Sequence, residues 1–183
     1  QVARYSHASL GHAENGNRQL EEGTRCIFAT LAKAGKTCGA SDPLTPWAIR
    51  HAAWLRHRYA VHSNGRTSYQ FIKGRDYQGE LVEFGECVWA KDPSPATKKA
   101  KLETRWYKRC FLGKTESSDE AILAGFEGGP AWKARGLRRL PEGERFNLAL
   151  LDAVRCLPWT AEGRLAVATS MGKQTVSYTH LRA

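Results

Sequence analysis

The chain has 183 residues, 42% of them hydrophobic, which suits one medium domain or two small ones and excludes wholesale disorder. Its formal net charge is +10 and its pI about 9.6, a balance that points to a polyanion, because lysines and arginines that neutralise phosphates release condensed counterions. No apolar run approaches the length of a membrane span, and no basic amphipathic helix shows a clean apolar face, so a membrane partner is not expected.

Residues 1–13 are small and polar and read as a loop leading into a helix. From Glu14 to about Ala34, Leu20, Ile27 and Leu31 fall at helical offsets, although Gly16 and Gly23 each weaken a helix by up to about 1 kcal/mol relative to Ala. Lys33 in the last turn and Gly35 after it give a stop. Residues 36–45 form a connector. A second helix follows, with Thr45 as N-cap and Pro46 as its first residue, ending near His62 before the turn Ser63-Asn64-Gly65. Trp47, Trp54, Leu55 and Tyr59 form its apolar stripe, and both tryptophans are most simply packing core. A short third helix spans Thr67 to Gly74.

After residue 75 the pattern becomes strand-like. Leu81 to Trp89 is rich in β-branched and aromatic residues, and Asp92-Pro93-Ser94-Pro95 breaks it. Further candidate strands are Arg105–Gly113, Glu120–Gly125 and Trp132–Leu140, the last ended by Pro141. Short strands at turn-punctuated spacing suggest a small barrel. Phe146, Leu150, Leu151 and Val154 then suggest a short amphipathic helix.

Two basic clusters fall in this barrel. One is Lys98, Lys99 and Lys101 with Arg105, Lys108 and Arg109, interleaved with Trp106 and Tyr107; the other is Lys133 and Arg135 with Arg138 and Arg139. Such runs are commonly solvated faces. Aromatic rings beside cations can also stack on bases or ribose, but Trp106 and Tyr107 both suit a barrel core as well, and a core place is expected for Trp106. Strand alternation allows Lys133 and Arg135 to project together. The cysteines, 5 in number and without C-x-x-C spacing, suit buried thiols in a reducing compartment and argue against a disulfide framework or a zinc site.

The stretch Ser9-Leu10-Gly11-His12-Ala13-Glu14-Asn15-Gly16-Asn17 resembles the segment of retroviral and copia-type retrotransposon integrases that carries the third catalytic carboxylate. Ser9 and Gly11 match its turn, Glu14 the carboxylate, and Asn17 an asparagine one helical turn on. The resemblance continues in order through Pro46–Leu55, Gly65-Arg66-Thr67-Ser68-Tyr69, Phe84-Gly85-Glu86-Cys87-Val88 and Phe111-Leu112-Gly113, covering roughly residues 5–140.

That resemblance implies an α+β chain from a Pol-like polyprotein: closing helices of a ribonuclease-H-like core over 1–75, a small basic barrel over 76–142, and a short helix and tail over 143–183. It implies DNA as partner, possible self-association of the parent integrase, and an intracellular, nuclear or cytoplasmic location. Strand transfer uses two divalent ions about 4 Å apart, which demand hard oxygen ligands, so Glu14 would ligate Mg²⁺ in the parent. Asn17 and Arg18 would orient that carboxylate or touch DNA, and the barrel cations would grip the backbone without reading bases. The chain departs from the pattern in one respect. The family's two aspartates precede the glutamate, whereas this sequence opens at Gln1 and reads as a truncated frame. The expectation is therefore that the chain alone is inactive. A non-catalytic DNA-binding module derived from such an element, and a peptide-binding barrel, are the alternatives. The tail from about Thr160 carries no motif. Its end, 176–183, resembles translated adapter sequence and is assigned no function.

Overall fold

The computed structural model describes residues 7–91 and 104–159. Helix α1 runs from His7 to Lys33, so the stretch Ser9-Leu10-Gly11 is helix and not the expected turn. Once a helical nucleus exists, each added residue costs little, and nothing between His7 and Glu14 is a proline that would stop propagation. The helix closes as a Schellman motif, with the amide of Lys36 donating to Leu31 O at 2.9 Å and that of Gly35 to Ala32 O at 3.0 Å.

Helix α2, Leu44–Tyr59, starts and ends earlier than expected. Asp42, not Thr45, satisfies its first amides, accepting from Leu44 N–H at 2.8 Å, while the Thr45 hydroxyl turns back to donate to Gly39 O at 2.6 Å. Helix α3, Ser68–Lys73, has the expected bounds: Thr67 and Gln70 form a reciprocal capping box, and Gly74 ends the helix in the left-handed region.

The strands are β1 Cys87–Lys91, β2 Trp106–Lys114, β3 Ala121–Leu123, β4 Trp132–Ala134 and β5 Leu137–Arg139, followed by the short helix α4, Leu148–Asp152. All pairs are antiparallel, in the order β4-β3-β2-β1-β5. The segment expected as one strand over Trp132–Leu140 is two, divided at Arg135-Gly136, because its first half pairs with β3 and its second with β1. The fold is α+β with an open sheet. β4 and β5 stand at opposite ends of the order and are not paired with each other, so the expected closed barrel is not formed.

Both faces of the sheet carry a core. On one, Val88 and Ala90 of β1, Phe111 of β2, Ala121 and Leu123 of β3 and Ala134 of β4 pack together with Val82 and Leu137. On the other, Cys110, Leu112 and Ile122 meet Ile27 and Leu31 of α1, Trp47, Ala48 and Ala52 of α2, and Leu151 beyond the sheet. The apolar faces of α1 and α2 are thus covered by the sheet and α4. Trp47 and Trp54 are fully buried as expected, and the Trp47 indole donates to Cys156 O at 2.8 Å.

Two motif glycines have a physical reason. Gly85 has φ +83°, and a Cβ there would lie 2.6 Å from Leu31 Cδ2. Gly113 has φ +139°, a conformation that side-chain-bearing residues rarely adopt. Any other residue would be strained at either position. Cys87, Cys110 and Cys156 are buried free thiols, whereas Cys26 is exposed. No described helix is long and apolar enough to cross a membrane.

Candidate nucleic-acid interface

Along β1, alternate residues share a face. Cys87, Trp89 and Lys91 point to the helix side of the sheet, but α1, α2 and α4 cover only the Cys87 end. Beyond that cover, Trp89 is 40% exposed. The pairing register sets Lys108 of β2 directly opposite Trp89 on one side and Arg138 of β5 on the other. Directly opposed residues in antiparallel strands have Cβ atoms about 5 Å apart. The result is a cross-strand row, Arg138–Trp89–Lys108, with a second row, Lys91–Trp106, beside it. The Arg138 guanidinium lies 4.7 Å from the centre of the Trp106 ring, which orients it while its charge stays at the surface. Trp106 is therefore half-buried on the outer face, not in the inner core.

Two clusters of buried charge brace this sheet. Glu86, fully buried ahead of β1, accepts from Arg139 Nε at 2.7 Å and Nη2 at 2.6 Å, with Arg145 Nε at 3.8 Å. That pair commits Arg139 to structure. On the other side of the molecule, Arg58 of α2 is 3% exposed, its guanidinium 4.1 Å from the Trp54 ring centre and 5.3 Å from that of Tyr77. Lys114 of β2 completes the cluster, donating to the Tyr77 hydroxyl at 2.8 Å and to Asp119 at 3.0 Å. Burial, and then the Asp119 carboxylate that accepts from it, push the Tyr77 hydroxyl far above its ordinary range. Asp119 reaches both groups from a left-handed conformation, φ 56°. This cluster locks α2 and the 76–80 segment to the β2–β3 turn.

The sequence-derived candidates divide among these environments. Lys108 stands in the row beside Trp89 and is half-buried, as is Arg105 just before β2. Arg109 is a correction. It pairs with Val88 in the register, so it faces inward, and it is 7% exposed; its Nη1 donates to Lys108 O at 2.9 Å, and burial works against its charge. Lys133 is half-buried opposite Ile122 on the outer face. Arg135 is exposed just past β4, and its Nε donates to Glu120 at 2.8 Å. Lys98, Lys99 and Lys101 lie outside the described residues.

Glu14, Asn17 and Arg18 are exposed on α1. Glu14 is about two turns inside that helix, so it lacks the expected place in the first turn beside the unpaired amides. Arg18 is engaged locally, bonding Asn15 at 2.9 Å and Glu22 at 3.1 Å. Asn17 borders a shallow depression with Leu20, Thr24 and Ile49. Among the described residues no group of three histidine, cysteine or acidic side chains is placed to hold a metal ion. A single exposed carboxylate does not by itself make a two-ion site.

The sequence motifs do not single out Trp89 or Lys91. Alternation along β1 puts them on one side, but only the extent of the helical cover decides that this end of the face is open. No family model, no curated protein and no solved structure matches this chain.

Proposed function

We propose that the chain is the carboxy-terminal part of a copia-type retrotransposon integrase within a Pol-like polyprotein, and that its own activity is sequence-tolerant, backbone-directed DNA binding on the outer face of the sheet. The observation that carries the reading is the row Arg138–Trp89–Lys108, exposed at Arg138 and Trp89 and half-buried at Lys108, which sets two cations about one indole beyond the helical cover. The sheet that carries this row is an open four-stranded meander whose fifth strand returns to β1, with a cluster on its other face fed from every strand. The ordered motifs support descent from such an enzyme, with Glu14 as a Mg²⁺ ligand once the parent supplies two aspartates. On this reading the parent self-associates and acts on nuclear DNA, and the 183-residue chain alone performs no strand transfer.

The test is duplex affinity across a salt series. Binding should weaken steeply with salt, and removing Lys108 and Arg138 together, as Lys108→Gln and Arg138→Gln, should flatten the log–log slope by about 0.9 per lost phosphate contact. Affinity that is flat from low to physiological salt would reject DNA as the partner and favour a peptide-binding module. Two in-frame aspartates encoded upstream of Gln1 would separate the parent integrase from a non-catalytic derivative.

A further inference from the structure

Resting on that reading, we infer that the same face prefers unpaired nucleic acid, with Trp89 as the stacking platform for a single exposed base. An indole 40% exposed at the centre of a basic row presents apolar surface to water. A duplex cannot cover it well, because the faces of its bases are already stacked on one another. An unpaired base can cover it, and stacking on an aromatic side chain tolerates any base because every base has a π-face. The flanking charges are placed for this. Lys108 and Arg138 stand on either side of Trp89 in register, within reach of the phosphates before and after a base laid on the ring. The neighbouring Trp106 is not equivalent, since the Arg138 guanidinium already lies over its ring at 4.7 Å and Trp89 is left as the open platform. Covering Trp106 also fixes Arg138, so less side-chain freedom is lost when a phosphate binds. The consequence is a site suited to frayed ends, gaps and single strands, held by charge and selected by stacking.

The experiment compares an oligothymidine single strand with a random-sequence duplex of the same length, by anisotropy with the whole chain at several salt concentrations. Trp89→Ala should lower the ratio of single-strand to duplex affinity by about ten-fold. Trp89→Phe should restore most of that ratio. Lys108→Gln with Arg138→Gln should weaken both ligands together and leave the ratio nearly unchanged. Circular dichroism checks folding, and Trp89→Thr, which keeps strand propensity, serves if the alanine variant unfolds. An unchanged ratio in the folded Trp89 variants, with salt-dependent binding intact, overturns the stacking inference and leaves the DNA-binding reading standing. Salt-independent or absent binding of both ligands by the unaltered chain overturns both.

Discussion

Arg139 holds the fully buried carboxylate of Glu86 through two hydrogen bonds, 2.7 Å from Nε to Oε1 and 2.6 Å from Nη2 to Oε2. The bond to Glu86 is the chief reason the guanidinium is pushed above its ordinary range. The pair joins β5 to the turn that opens β1, and the backbone amide of Glu83 adds a weaker contact at 3.4 Å. It supports the strand that presents Arg138.

Arg139→Gln removes the guanidinium and leaves the fully buried Glu86 carboxylate with Arg145 Nε, at 3.8 Å, as its remaining cation. A buried charge stripped of its close partner is strongly destabilising, so the variant should lose about 3 kcal/mol. Urea denaturation followed by tryptophan fluorescence measures it. A loss below about 1 kcal/mol would show that water reaches this pair and that it does not hold β5 in place.

Arg58 makes a different contribution, through ring faces as much as through its ion pair. Its partner Glu116 keeps 62% of its side chain exposed, so Glu116→Ala should cost no more than about 1 kcal/mol. Arg58→Ala empties the space between Trp54, Tyr69 and Tyr77 and should cost about 3 kcal/mol. Thermal unfolding of the two variants separates ring packing from charge pairing. Equal losses would assign the effect to the ion pair.

His51 sets a pH dependence. Its ring is stacked on Trp54, with centroids 5.7 Å apart, and its Nδ1 is buried without a hydrogen-bond partner. Burial, then the charges of Arg50 and Lys114, lower its pKa from 6.5 to about 4. Between those values the unfolded chain binds a proton that the folded chain refuses, so stability rises with pH across this window. It should fall by about 1.4 kcal/mol for each pH unit from 6.5 down towards 4. His51→Phe keeps the stack and removes the proton site, so its urea midpoint should lose this part of the slope. An unaltered pH profile in the variant would assign the slope to other groups.

The sequence was most legible where local chemistry decides conformation. Thr67, Gln70 and Gly74 carry their own start and stop signals, and α3 has the bounds those residues specify. Trp47 and Trp54 follow from helical spacing alone. It was less legible at Ser9-Leu10-Gly11, where a turn signal borrowed from a resemblance yields to helix propagation along α1. It was least legible in the basic run of β2. Lys108 and Arg109 look alike in sequence, but one step along a strand reverses the face, so one is in the open row and the other is 7% exposed.

The sequence by itself determined the charge, the helix-then-strand order and the capping of α3. Those depend on net composition and on neighbours a few residues apart. Tertiary structure alone decided that one continuous-looking segment serves both edges of the sheet, that Glu86 is a buried ion-pair partner, and that Trp89 faces solvent between two cations. These depend on register between strands far apart in the chain and on how far the helices reach across the sheet, and neither is written in any local stretch of residues.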